Sequence, residues 1–463
     1  MSAVLPQGWQ DYRLEECVEV LDSLRVPVNN AERQSRIEGK PAEQLYPYYG
    51  ATGQVGVIDD FLFDEELVAL GEDGVPFLDP FKPKAYMLRG KTWVNNHAHV
   101  LRGLDGIALN KFVFYYLNQF DYQGYVNGGT RLKLTQANMR IIPIPLPPLA
   151  EQTRIAAKLD ELLAQVDALK TRIDGVPALL KRFRQSVLAA AVSGRLTEEW
   201  RWQNVGLADE ATFPKSRGET IWPQSSLQSL ISGIEQGWSP KCESDSVTET
   251  EEAWAVIKTT SIQPLNFYPL ENKRLPVNLS PRPELSVQAG DLLITRAGPR
   301  SRAAVCCYVK KTHPRLIVCD KAYRFRPRAN VIDGRLLCLF LNSPQYISLL
   351  DDLKTGISES GMNLTMRKFQ DLRIPHPSFE EQTEIVRRVE QLFAFADQLE
   401  ARVKAAQTRI DRLTQSILAK AFRGELVPQD PNDEPASVLL ERIKAQRAAA
   451  PKAKRNHRAA TPS

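Results

Sequence analysis

Four stretches carry residue types that could do chemistry. Ala85-Tyr86-Met87-Leu88-Arg89-Gly90-Lys91-Thr92 ends in the Gly-Lys-Thr of a phosphate loop. Such a loop must bare its backbone amides to phosphate and then open a helix. Here Ala85 stands where the first glycine is required, the intervening side chains are bulky, and Trp93-Val94-Asn95-Asn96 follows, which reads as strand or turn. Lys91 is better read as a phosphate contact or a solvated charge. Asp79-Pro80-Phe81 approaches the Asn/Asp-Pro-Pro-aromatic loop that holds a flipped base in amino-methyltransferases, but it is one proline short and no glycine-rich cofactor loop precedes it. His97 and His99 alternate on one face of a strand, which suits a metal, yet no third histidine is near. Glu72-Asp73-Gly74 mimics a nuclease carboxylate pair without its Glu-x-Lys, and a turn explains it better. These residues supply no complete catalytic or metal set.

The elements that must position everything else are two copies of one segment. Residues 151–196 and 381–426 align without a gap at a constant offset of 230, with about 17 of 46 positions identical. In the first copy Ile155, Leu159, Leu162, Val166, Leu169 and Ile173 step by 4, 3, 4, 3 and 4. Ile385, Val389, Leu392, Ala396, Leu399 and Val403 repeat those steps in the second. Each set is an a/d seam of about three heptads, and two such seams can bury each other as a coiled coil. Gly175-Val176-Pro177 predicts a break in the first helix, and Ser193-Gly194 a glycine stop.

The chain is 463 residues and 52.1 kDa, too long for one ordinary domain. Apolar content of 43% and charged content of 25% are those of a folded soluble protein. No apolar run approaches the length of a membrane span, and Met1-Ser2-Ala3-Val4-Leu5-Pro6 lacks the regions of a signal peptide, so a cytoplasmic location is expected. Cys17, Cys242, Cys306, Cys307, Cys319 and Cys338 show no metal-ligand spacing and read as buried thiols. A net charge of +5 is compatible with nucleic acid without being diagnostic.

Read in order, residues 1–147 form a mixed, sheet-rich domain. Its strand-like runs are Val55-Gly56-Val57-Ile58, Ala85 to Leu88, Thr92 to Val94 and Ile141-Ile142, and its helix runs from Phe112 to Phe120. Residues 148–196 are the first helical region and 197–222 a polar linker. Residues 223–377 form a second domain. Its strands are expected at Trp254 to Ile257, Leu292 to Thr295, Ala304 to Tyr308 and Leu316 to Val318, and its helices at Arg335 to Leu341 and Pro344 to Leu350. Residues 378–426 are the second helical region. Residues 427–463, with Lys444, Arg447, Lys452, Lys454, Arg455 and Arg458 among Ala, Pro and Ser, read as a partly disordered tail. The fold class is α+β: two globular domains separated by two long helices that pair as an antiparallel coiled coil in a pseudo-two-fold layout. Residues 151–173 would span about 34 Å of helix, near the length of 10 base pairs.

The helical copies resemble the specificity subunit of type I restriction–modification systems. The carrying stretches are Pro145-Leu146-Pro147-Pro148-Leu149-Ala150-Glu151-Gln152, Leu162 to Asp167, Lys181 to Leu188, Glu381 to Ala394 and Leu413 to Leu426. The resemblance implies two target recognition domains, each reading half of a bipartite, asymmetric target in double-stranded DNA. It implies that the coiled coil fixes the gap, and that Ile155, Leu159, Leu162, Val166, Leu169, Ile385, Val389, Leu392 and Leu399 lie in the coil and partner-docking helices. Two modification subunits would bring S-adenosylmethionine and methylate adenine N6. Restriction subunits would add ATP- and Mg2+-dependent translocation and cleavage. This chain would hold no cofactor, no metal, no catalytic residue and no membrane contact. The competing readings are a self-sufficient nuclease or methyltransferase and an adaptor that binds proteins only.

Residue chemistry nominates the DNA contacts. In the first domain, Tyr46 to Gly53 is an uncharged aromatic, glycine-bearing loop with Tyr48, Tyr49 and Thr52, and Asn95 and Asn96 match the donor and acceptor of adenine N6 and N7. Asn127-Gly128-Gly129-Thr130-Arg131-Leu132-Lys133 reads as a phosphate-facing loop, with Thr130, Arg131 and Lys133 as contacts. In the second, Arg296, Arg300 and Arg302 share a Gly-Pro loop where guanidinium forks can meet guanine or phosphate. Lys258, Thr259, Lys321 and Asn363 complete the set.

Overall fold

The computed structural model describes residues 5–204, 222–356, 358–438, 441–442 and 445. They fall into two compact units, residues 1–174 with 404–463, and residues 175–403.

In the first unit the leading strand Gln10–Arg13 pairs antiparallel with the closing strand Pro143–Leu146, so the domain begins and ends on one two-stranded ladder. Pro143 and Pro145 are tolerated there because a two-stranded ladder leaves each strand one edge without bonds to make. A four-stranded antiparallel sheet follows, in the order Val18–Val20, Ala98–Gly103, Leu67–Gly71 and Ala85–Leu88. Leu67–Gly71 is an unbroken apolar run because it is central and covered on both faces. Val68 and Leu70 meet the helix Asn110–Gln119, while Leu67 and Ala69 pack with Phe63 and Val94 of a second sheet. That second sheet runs Gly53–Ile58, Tyr46–Gly50, Lys91–Val94 and Phe63–Asp64.

The helix Leu149–Asp174 docks Ile155 and Leu159, both wholly buried, into this core. Residues 404–422 of the helix Phe379–Phe422 lie antiparallel to it, with Lys170 3.2 Å from Asp411 and Gln407 donating to Asp174 at 2.7 Å. Leu418, Ala421 and Phe422 close the core, and Phe422 meets the Phe112 ring edge-on at 5.3 Å.

The second unit repeats this wiring. Gln224–Ser226 pairs with Arg373–Pro375, and the four-stranded sheet runs Ile231–Gln236, Ala322–Pro327, Leu292–Thr295 and Cys306–Tyr308. The helix Gly334–Leu341 follows its second-ranked strand, as Asn110–Gln119 does in the first unit. Leu14 N–H donates to Ile142 O at 2.8 Å, and Leu227 N–H to Leu372 O at 2.8 Å. The helix Val176–Val192 lies antiparallel to residues 379–403: Arg184 meets Asp397 at 2.6 Å and Glu400 at 2.9 Å, while Val187, Leu188 and Ala191 pack with Ile385, Val386 and Val389.

Several expectations are corrected. Ile155 and Leu159 are buried by their own domain and by Leu418 to Phe422, the far end of the second copy. Ile385 and Val389 are buried by their domain and by Val187 to Val192. Antiparallel duplicates bring the start of one copy onto the end of the other within each unit, so Ile155 and Leu159, like Ile385 and Val389, also form a docking face for their own domain. Leu169, 47% exposed, lies beyond that face. The first helix does break at Gly175, whereas the second runs uninterrupted through Ala405, Ala406 and Gln407, which replace Gly175, Val176 and Pro177. Gly194 and Gly424 both adopt positive φ, 79° and 73°, as left-handed caps.

Within the 197–222 linker, Glu198–Asn204 is a helix with Arg201 buried, and residues 205–221 lie outside the described residues. The tail is packed where it starts, since Leu426, Val427 and Ala436 join the first core, while Lys444, Arg447, Lys452, Lys454, Arg455 and Arg458 all lie outside the described residues. Ile141-Ile142 is a turn, and Tyr46 to Gly50 is a strand rather than a loop. All six cysteines are free, and five of them are buried. Among the described residues no helix is long and apolar enough to cross a membrane.

Candidate nucleic-acid interface

In the first unit, the chain leaves the central strand Leu67–Gly71 and continues through Glu72 and Asp73 along a short hairpin, Val126–Asn127 against Lys133–Leu134. Asp73 bridges to Lys133, and Leu134 N–H donates to Glu72 O at 2.8 Å, so three short segments form a ribbon. Its tip is 128–132. Gly128 has φ +112°, and a Cβ there would collide with the Arg131 carbonyl oxygen, which is why the tip needs glycine. Arg131 reaches Asp73 at 2.9 Å, Lys133 reaches Glu72 at 3.2 Å, and the His97 ring meets Asp73 at 3.0 Å.

Behind the ribbon, buried His99 places Nδ1 2.7 Å from Asp22 and Nε2 3.0 Å from Leu134 O, tying the hairpin to the sheet. Burial alone would raise the Asp22 carboxyl. The hydrogen bond and charge of His99, with Val100 N–H and the Gln136 amide, outweigh burial and hold it below the usual range.

The second unit builds the same ribbon. Leu292–Thr295 leads through Arg296 into Ala297–Gly298, which pairs with Met362–Leu364, and that strand pairs with Lys354–Thr355. Leu364 N–H donates to Arg296 O at 2.7 Å, matching Leu134 and Glu72. The Arg300 N–H donates to Glu359 O at 2.8 Å, and its guanidinium meets Glu359 at 3.0 Å and Asp351 at 2.7 Å. The structure thus joins two loops that the sequence offered separately, residues 295–302 and 358–363.

The nominated residues separate by what they already hold. Tyr48 is corrected: it is buried, with its hydroxyl donating to Val28 O at 3.0 Å. Tyr49 is half-buried and stacks on Tyr86 at 5.4 Å, and its carbonyl accepts from Asn95 N–H at 3.1 Å. The Asn95 side chain caps the turn by accepting from His97 N–H at 2.8 Å. Thr52, Asn96, Thr130, Arg131 and Lys133 are exposed.

The Arg302 guanidinium donates to Gln263 and to the carbonyls of Thr259 and Ile262 at 2.7–3.0 Å, so it braces the loop. Arg296 donates to Asp320 O at 2.8 Å and stands 5.9 Å from the Tyr323 ring. Lys258, Thr259 and Lys321, with Lys273 and Asp320, line a cavity of about 410 Å3. Asn363 and Lys321 are exposed. Glu72, Asp73 and Glu359 were missed as partners of the cations, because only the ribbon brings them within reach. The adjacent glycines Gly128-Gly129 were the signal for its tip.

On the helices, Val166, like Ile155, Leu159, Ile385 and Val389, is buried, whereas Leu162, Leu392 and Leu399 are half-buried. The Gly-Lys-Thr stretch is strand, turn and strand, and Asp79-Pro80-Phe81 is a turn, with the Asp79 carboxylate accepting from Phe81 N–H at 2.9 Å. Among the described residues no cluster of three or more metal-ligating side chains is present.

The ladder, sheet, helix and ribbon define a duplicated two-domain architecture, and comparisons with known proteins say which family it belongs to. The family model described as the type I restriction modification DNA specificity domain matches residues 6–178 and 283–407, more than half of the chain. The EcoKI specificity subunit of Escherichia coli K12 is 37% identical over 323 residues, 68% of this chain and 66% of that protein. The EcoBI specificity subunit of Escherichia coli is 36% identical over 324 residues, 66% of this chain and 65% of that protein, so each match spans about two thirds of the relative. The EcoDI specificity subunit, also of Escherichia coli, is 28% identical over 96% of both chains. Among solved structures, the HsdS subunit from Thermoanaerobacter tengcongensis superposes with a TM-score of 0.53 at 20% identity, covering 92% of this chain and 99% of that one. A structure reported for assembly and conformational transition of the type I R-M system gives 0.58 at 18%, covering 92% and 100%. At such identities they carry the fold alone. The chain belongs to the type I restriction–modification DNA specificity family.

Proposed function

We propose that this chain is the DNA-reading subunit of a cytoplasmic type I restriction–modification complex. Each domain reads one half of an asymmetric, bipartite target, and the paired helices act as an antiparallel coiled coil that sets the unspecified gap. The same helices dock two modification subunits, which carry S-adenosylmethionine and methylate adenine N6. Restriction subunits add ATP- and Mg2+-dependent translocation and cleavage.

One observation carries most of this reading. A single module of ladder, sheet, helix and ribbon is built twice, with unlike side chains on its two ribbons. Duplicated scaffolds with different reading edges suit a target made of two unlike halves. The test is to map N6-methyladenine in DNA from cells expressing this chain with its modification subunit. A two-part motif with an unspecified middle is expected. Methylation at an uninterrupted motif, or none, would overturn the proposal.

A further inference from the structure

The two ribbons share a backbone plan and differ in charge. Glu72 and Arg296 occupy the same place, each accepting from the hairpin leucine, Leu134 or Leu364. Asp73 and Ala297 likewise both face the hairpin strand, opposite Lys133 and Asn363. In the first unit the sheet segment supplies the acids Glu72 and Asp73, and the hairpin supplies Arg131 and Lys133. In the second unit the sheet segment supplies the cation Arg300, the hairpin tip supplies the acid Glu359, and Asp351 behind the loop holds the same guanidinium at 2.7 Å. The polarity is reversed on one frame.

Each pair has one member open to water and one partly covered, Asp73 at 20% and Arg300 at 40%. The Arg131 side chain is 66% exposed, and that of Glu359 is 78% exposed. An exposed ion pair contributes little, so another anion can replace its carboxylate at small cost. Other arginines nearby are committed elsewhere: Arg302 braces three loop groups, and buried Arg324 holds Glu235 and the carbonyls of Ser286 and Glu284. Glycines keep the ribbon low beside each cation, with Gly128 and Gly129 at one tip and Gly356 and Gly361 at the other.

We propose that the ribbon tip of each domain is its DNA-contacting site, and that Asp73 and Glu359 are resident counter-ions for Arg131 and Arg300 that a DNA phosphate displaces on binding. The inference rests on the DNA-reading function proposed above. Each carboxylate repels non-specific phosphate and yields only where the rest of the site fits, so it trades affinity for selectivity.

The test uses the full chain with its modification subunit and a random-sequence 30-base-pair duplex, titrated by fluorescence anisotropy over a salt series. Glu359→Gln and Asp73→Asn are expected to tighten this non-specific binding about twofold to fivefold and to steepen the log-affinity against log-salt slope by about one. Arg300→Gln and Arg131→Gln are expected to weaken it and flatten the slope. Glu243→Gln, an exposed acid on neither ribbon, controls for net charge. If Glu359→Gln and Asp73→Asn move affinity no more than Glu243→Gln, or both arginine variants bind as wild type does, the tip assignment is overturned while the functional reading stands. If the wild-type complex binds no duplex, the functional reading falls as well.

Discussion

Gln152 and Gln382, 230 positions apart, make the same three hydrogen bonds. Gln152 Nε2 donates to Ile107 O at 2.8 Å and Pro147 O at 3.0 Å, and its Oε1 accepts from Leu109 N–H at 2.9 Å. Gln382 Nε2 donates to Val331 O at 2.9 Å and Pro377 O at 3.0 Å, and its Oε1 accepts from Asp333 N–H at 2.7 Å. Leu109 and Asp333 are the cap residues of the helices that cover the two sheets. Each buried carboxamide therefore clamps a long helix to the start of a domain helix. The clamp is the point where the repeated helices and the diverged domains are joined.

Removing a clamp strands a buried helix-cap N–H and two carbonyls. Gln152→Ala or Gln382→Ala should destabilise the chain by about 2–4 kcal/mol, the cost of leaving such groups unpaired. Gln→Glu should also destabilise, since a carboxylate cannot donate to the paired carbonyls. Urea denaturation followed by circular dichroism measures both, and a loss below about 1 kcal/mol would show the clamp to be dispensable.

Removing the charge of the neighbouring acids should have opposite effects on stability at neutral pH. Glu381 is held by Arg201, by Thr197 at 2.7 Å and by the Trp222 indole at 2.9 Å. Glu151, at the same place in the repeat, is buried beside the Trp9 indole and Arg154. Burial pushes the Glu151 carboxyl above the usual range, with Trp9 and Arg154 only partly opposing it. A raised acid favours the protonated fold, so its contribution is present at low pH and is lost as pH rises through its folded pKa. Glu151→Gln should raise the melting temperature at pH 7 and leave it nearly unchanged near pH 4. Glu381→Gln should lower it at pH 7, because Arg201 then stays buried without its counter-charge. Calorimetry at pH 7 checks both signs, and a second scan at pH 4 checks the pH dependence of Glu151→Gln.

Acid should also loosen the first ribbon from behind. Asp22 is held below its ordinary range despite burial, chiefly by His99, so its stabilisation is present at neutral pH and is lost as pH falls through its folded pKa, below the ordinary carboxylate value. Asp22→Asn should lower stability at pH 7 and make the remaining stability less steep below pH 4. Hydrogen exchange of the Leu134 amide, which is bonded to Glu72 O, reports the effect at the ribbon itself.

The seam residues should grade by depth. Leu159, fully buried in the first core, should cost about 2–5 kcal/mol as Leu159→Ala. Leu169, 47% exposed, should cost under about 1 kcal/mol, although both lie on the same heptad pattern. Equal losses would restore a seam buried along its whole length.

The arginines of the second loop should divide by role. Arg296→Ala should weaken binding of the cognate duplex by about 1–3 kcal/mol if its fork turns to a base. Arg302→Ala should instead lower the melting temperature, since its three partners are loop groups of the protein. Parallel melting and cognate-binding curves separate the two, and identical profiles would reject the division.

The sequence alone determined the duplication, the break at Gly175, the glycine cap at Gly194 and the family, because helix periodicity and punctuation are local and survive in a linear pattern. Strands such as Leu292–Thr295 and Ala85–Leu88 were legible for the same reason. What covers each seam was decided only in three dimensions, since Ile155 meets Leu418 and Ile385 meets Leu188 through packing between segments far apart in the chain. The candidate site was legible only in fragments. Arg131 and Arg300 could be nominated by charge, but Asp73, 58 residues from Arg131, and Glu359, 59 residues from Arg300, became their partners through ribbon pairing. Side-chain type is written in the sequence, whereas the company a side chain keeps is set by which backbone segments hydrogen-bond across the fold, and no local pattern encodes that.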